Sequence, residues 1–150
     1  MDLHGWIAVL RLPIEIIAAC LAVAPALLLL RAWGSLPDVV PSHFGFSGRP
    51  DRWGGRWQAW VVPVVALIIY GAFSVSCGTW GWLLGGQSEL PRGMEPLLLM
   101  RLPIELLMTY ITWGTIRVAL KEAEGLSTPV LLGLVLLTVV PGPLLPFLRH

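Results

Sequence analysis

The sequence predicts an all-α integral membrane protein with four transmembrane helices, and two observations carry that prediction. Hydrophobic residues make up 56% of the 150 positions and charged residues only 13%, with a mean hydropathy of +0.77. A soluble domain typically carries about 25% charged residues, because its surface must face water. Apolar stretches of roughly the 20 residues needed to cross ~30 Å of hydrocarbon also recur along the chain. They fall at about 13–33, 57–84, 103–120 and 129–148, within a single membrane domain covering 1–150. Polar connections separate them, which places both ends of the chain on one side.

The first span opens at Pro13, where a missing amide hydrogen does no harm. Glu15 follows in the first turn, where the helix dipole favours a carboxylate. Pro25 is expected to kink this helix. Ala22-Val23-Ala24 has the look of a leader cleavage triplet, but Pro25 and a further apolar run follow it, so the segment reads as a retained span.

The polar loop at 34–56 comes next and concentrates much of the chain's chemistry. Pro37, Pro41 and Pro50 stiffen it, while Gly45, Gly48, Gly54 and Gly55 permit tight turns. Phe44, Phe46, Trp53 and Trp57 can seat it on the membrane surface. Asp51 has Arg49, Arg52 and Arg56 near it in sequence, and an Asp–Arg pair is expected to clip the loop closed. The candidate binding residues are therefore His43, Phe44, Gly48, Asp51, Arg52 and Trp53. His43 can stabilise the loop, recognise a ligand, or serve a metal or catalysis. The last role needs partners, and the other histidines, His4 and His150, lie at the chain ends.

The second span carries Trp57, Trp60, Trp80 and Trp82 near its ends, as an interfacial aromatic belt would. Ser74 and Gly78 form a small-xxx-small pair that lets another helix approach. The third span follows a polar connection at 85–93. The fourth begins near Pro129 and meets Pro141-Gly142-Pro143 after about a dozen residues, which rise only ~18 Å. Either that helix kinks and continues, or it breaks within the membrane.

Arg11-Leu12-Pro13-Ile14-Glu15 recurs as Arg101-Leu102-Pro103-Ile104-Glu105. The first and third spans run in the same direction, so both elements belong at one membrane face. Each is expected to form a short interfacial helix, a proline bend and then the span. Arg11 should pair with Glu15 and Arg101 with Glu105, four residues apart on one helical face. Two carboxylates facing each other inside a bundle would instead mark a pathway.

Nucleic-acid binding is not expected, since the net charge is +1 and the basic residues are scattered. Cys20 and Cys77 lie in apolar segments without metal-ligand spacing and read as small hydrophobes. No cofactor and no metal is expected.

The string Leu36-Pro37-x-x-Val40-Pro41-x-His43-Phe44-x-x-x-Gly48-x-Pro50-Asp51-x-Trp53-Gly54 resembles the signature loop of a bacterial membrane domain of unknown function. That domain occurs alone and in SdpI-type immunity proteins. The resemblance implies a multi-pass helical protein of the bacterial cytoplasmic membrane with its loop outside. It further implies a peptide ligand or partner membrane protein, besides lipid, met in an immunity-like or signal-relaying role. Counting basic residues gives six beside the loop (Arg31, Arg49, Arg52, Arg56, Arg117, Lys121) against four on the other face (Arg11, Arg92, Arg101, Arg149). Charge alone would put the loop inside. If Arg49, Arg52 and Arg56 are engaged within the loop, the external placement stands.

The expected function is thus non-enzymatic binding through the loop. One alternative is an accessory subunit of a larger membrane complex. The other is a small transporter or membrane enzyme using Glu15 and Glu105.

Overall fold

The computed structural model describes residues 3–83 and 95–139. Helix α1 (Leu3–Ala32) leads into strands β1 (Val39–Phe44) and β2 (Pro50–Gly55). A 3-10 turn (Arg56–Trp60) enters helix α2 (Val61–Ser76), and a short helix α3 (Thr79–Leu83) follows. Helices α4 (Glu95–Ala119) and α5 (Thr128–Val139) complete the chain. The molecule is mostly helical, and three segments are long and apolar enough to cross a bilayer: Leu10–Ala32, Arg56–Ser76 and Leu97–Ala119. At ~1.5 Å per residue, 23 residues rise about 35 Å, enough for ~30 Å of hydrocarbon. Helix α5 is apolar but has only 12 residues. The expected break at Pro141-Gly142-Pro143 lies outside the described residues, as does the connection at 85–93.

Two expectations are corrected. The fold is not purely α, because β1 and β2 form an antiparallel hairpin. Separate interfacial helices do not precede the first and third spans, because α1 runs unbroken through Pro13 and Pro25, and α4 through Pro103. A proline inside a helix frees the carbonyl four residues earlier, and in hydrocarbon that carbonyl needs a donor. For Pro25 that carbonyl belongs to Leu21, and Thr109 Oγ1 on α4 reaches it at 3.2 Å. The same hydroxyl lies 2.9 Å from the Glu105 carbonyl of its own helix, so its one proton is shared and the carbonyl freed by Pro25 is partly satisfied by the neighbouring helix.

Helix α4 is central and packs against α1, α2, α5 and β1. It ends in a Schellman turn. Lys121 takes a left-handed φ of 60°, and the Glu122 amide donates to the Arg117 carbonyl at 2.8 Å. Helix α2 stops at Ser76, and Gly78 turns the chain with φ 64°. Ser74 and Gly78 therefore do not share one helix face. Ser74 is buried as a polar partner, and Gly78 serves the turn.

One end of the bundle gathers the end of α1, the hairpin, the starts of α2 and α5, and the end of α4. Its core joins Leu29, Leu36, Val40, Ala59, Ile116 and Ala119. Trp33 packs on Trp57 and Trp60 at centroid distances of 4.9 and 6.0 Å, with the Arg56 guanidinium 4.8 Å above its ring. Ser47 and Ser127 lie on this same end. Labels on Ser47→Cys and Ser127→Cys, made in a Cys20→Ala, Cys77→Ala background, should react with an impermeant reagent from the same side of the membrane. Reaction from opposite sides would contradict this arrangement.

Candidate functional site: the hairpin end and a buried charge centre

The hairpin pairs Val39 with Gly55, Val40 with Gly54, Pro41 with Trp53, His43 with Arg52 and Phe44 with Pro50, with irregular register around His43. Prolines are tolerated because each strand of a two-stranded sheet has an unpaired edge. The ladder continues past the strands, where the Arg56 amide donates to the Asp38 carbonyl at 2.8 Å. At the tip, the Gly45 amide bonds the Arg49 carbonyl and the Gly48 amide bonds the Gly45 carbonyl, both at 2.9 Å.

Gly48 has φ 75°, and its carbonyl accepts the Leu126 amide at 2.8 Å. A side chain at Gly48 would meet the Leu126 carbonyl oxygen. The hairpin tip is therefore clamped to the α4–α5 turn, which Tyr110 also holds by accepting the Ser127 amide at 2.8 Å.

The Nδ1–H of His43 donates to Oδ1 of Asp51 at 2.7 Å, with both side chains more than half exposed. The expected Asp51–arginine clip is replaced by this pair, because Arg49 turns instead toward Glu124 at 3.5 Å and Arg56 stacks on Trp33. Arg52 and Trp53 are exposed. Trp53 borders an open groove with Arg49, Val118 and Glu124. Phe46 stands wholly exposed at the tip.

Phe44 instead lines a cavity of about 270 Å³ beneath the hairpin. Leu29, Ala59, Ile111 and Ile116 give it apolar walls, with Ser42, Thr112 and Thr115 contributing hydroxyls. Thr112 is buried, and its Oγ1 has no hydrogen-bond partner. Sequence reading missed this cavity. Its only sequence signal is the pair of threonines, Thr112 and Thr115, within an apolar run.

The second constellation lies deep between α1, α2 and α4. Arg101 is wholly buried, and its Nη1 donates to Glu15 Oε2 at 2.7 Å. Its Nη2 donates to Ser74 Oγ at 2.7 Å, and its guanidinium lies 4.4 Å from the Tyr70 ring centroid. Thr79 Oγ1 donates to Glu15 Oε1 at 2.7 Å. Arg11 Nη2 donates to the Cys77 carbonyl at 2.8 Å. Glu105 is wholly buried, and neither carboxyl oxygen has a hydrogen-bond partner.

The expected pairing of each glutamate with its own arginine is thus corrected, because the ion pair crosses between helices. The last carbonyls of α2 lack intrahelical donors and carry the negative end of its dipole, which suits Arg11. Glu15 is left for Arg101. Among the described residues no cluster of three or more His, Cys, Asp or Glu side chains could hold a metal ion.

Residues 20–67, from mid-α1 through the hairpin into α2, match a family described as Domain of unknown function (DUF1648). The match is to a domain without an assigned activity. An uncharacterized protein from Archaeoglobus fulgidus is 44% identical over 36 residues, which is 24% of this chain. That stretch is 20% of the archaeal protein's own length, so the chain spans a fifth of this relative. No solved structure matches the chain.

Proposed function

We propose that the chain is a non-enzymatic membrane protein whose hairpin end binds an apolar segment of a peptide arriving at the membrane surface, in an immunity-like or signal-relaying role. The cavity under the hairpin is the observation that carries this reading. At about 270 Å³ it falls below the ~300–1,000 Å³ of sites for drug-sized ligands and suits one or two apolar side chains. Thr112 offers such a guest one buried polar anchor. Phe46 and the His43–Asp51 pair add an exposed aromatic and a polar contact at the same end. A peptide reaching a cell from outside would meet this end if the hairpin is extracytoplasmic, and that placement belongs to the proposal.

Expression of the chain in a host sensitive to an amphipathic membrane-active peptide should raise survival. Ala59→Phe, which fills the cavity, should abolish the gain while the protein still accumulates in the membrane. Thr112→Val should weaken binding by roughly fivefold, the worth of one ~1 kcal/mol hydrogen bond. Unchanged protection in both variants would reject the cavity as the binding site. Unchanged survival on expression would reject the immunity role, and stable co-purification with another membrane protein would favour the accessory-subunit alternative.

A further inference from the structure

The buried charge centre holds one carboxyl that no donor reaches. Arg101 bonds Glu15 through Nη1 and Ser74 through Nη2, and its Nε has no hydrogen-bond partner. Glu105 sits one helical turn further along α4, on the same face, with both oxygens unpartnered and no exposed surface. Counted from Leu97, where the apolar segment begins, it lies eight residues or about 12 Å inside. A carboxylate there, without a donor, is costly, and such a group sheds its charge by taking a proton.

Among the described residues, the charged and titratable side chains of this centre are Arg11 and Glu15 from α1, Tyr70 from α2, Cys77 at the C-terminal cap of α2, and Arg101 from α4. Helices α3 and α5 bring none. We propose that Glu105 is an intramembrane proton-binding site that competes with Glu15 for Arg101. In the state described, Glu105 holds the proton as a neutral acid and Glu15 is the carboxylate paired with Arg101. In the alternative state the proton passes from the Glu105 carboxyl to the Glu15 carboxylate. An O–H bond breaks on Glu105 and one forms on Glu15, and the guanidinium, charged throughout, turns its open Nε to the new carboxylate. Each state contains one Arg101–carboxylate ion pair and one neutral acid, so the exchange leaves the charge of the centre unchanged. Thr79 keeps its bond to Glu15 in both. The exchange is independent of peptide binding at the hairpin.

Infrared spectroscopy of the full chain in lipid nanodiscs, with carboxyl-¹³C glutamate, tests the site. At neutral pH the native protein should show a protonated-carboxyl band that shifts with the label. The band should vanish in Glu105→Gln. It should also vanish in Glu15→Gln, because Arg101 then has only Glu105 to pair with and the proton leaves. No labelled band in the native protein overturns the site, and this measurement needs no variant to fold. A band that survives Glu105→Gln places the proton elsewhere and overturns it too. A band that survives Glu15→Gln overturns the competition for Arg101.

Discussion

Replacing Arg101 by Leu should destabilise the protein by about 3–5 kcal/mol, the usual cost of leaving one member of a buried ion pair without its partner. The guanidinium ties three helices together through Glu15 on α1, Ser74 on α2 and its own place on α4. Leucine would leave the Glu15 carboxylate with Thr79 alone, in a medium that offers no water. Arg31→Leu is the control, since Arg31 is exposed in the last turn of α1 and should change stability by no more than about 1 kcal/mol. A Glu15→Leu, Arg101→Leu double variant should recover much of the loss, because apolar side chains can replace both charges. Denaturant unfolding in mild detergent measures all three. Equal stability of Arg101→Leu and Arg31→Leu would show that Glu15 is satisfied without the arginine.

Gly48→Val should have the second largest effect, about 3 kcal/mol. A left-handed φ of 75° costs a residue with a β-carbon about 1–2 kcal/mol. The new side chain also meets the Leu126 carbonyl, and moving it away sacrifices the Leu126–Gly48 hydrogen bond, worth about 1 kcal/mol. Gly48→Ala should already show most of the loss, because the collision is with the β-carbon itself. Ser47→Ala, next door and exposed, should stay within about 0.5 kcal/mol. Limited proteolysis of the hairpin and thermal unfolding give two independent readouts. Similar cleavage of Gly48→Val and Ser47→Ala would mean that the tip is not clamped.

The membrane-spanning character was legible in the sequence because hydrocarbon imposes a length and a composition that local inspection detects. The strands were not. Pro41 and Pro50 argue against pairing, and the bulges around His43 erase the alternation of exposed and buried residues that marks a strand. The contact between Gly48 and Leu126 joins residues far apart in sequence, so the glycine's flexibility could be read but not what crowds it. The repeated Arg-Leu-Pro-Ile-Glu element singled out Arg11, Glu15, Arg101 and Glu105, four charges that the structure buries. Its spacing suggested pairs within each helix, whereas the relative height of α1 and α4 decides the partners. Leu21 meets Thr109 and Glu15 meets Arg101, so the two copies are offset along the bundle and do not lie level. That offset has no local signature. Ser74 was read as a small residue for close packing, and its hydroxyl proved the more important part.

The crossed ion pair also constrains the order of events during synthesis. Glu15 and Arg101 are separated by 86 positions. At about 5–20 residues per second, the ribosome needs roughly 4–17 s to make the intervening chain. Thr79 arrives earlier, 64 positions after Glu15, and is the first of the two to emerge. During that interval the nascent first helix carries an acid whose final charged partner does not yet exist. Until α4 is delivered it can pair with Arg11 one turn earlier on α1, wait near the headgroups, enter as the neutral acid, or be sheltered by the insertion machinery. Assembly of this bundle is consequently not sequential, since its first helix reaches its final environment only when its third spanning helix arrives.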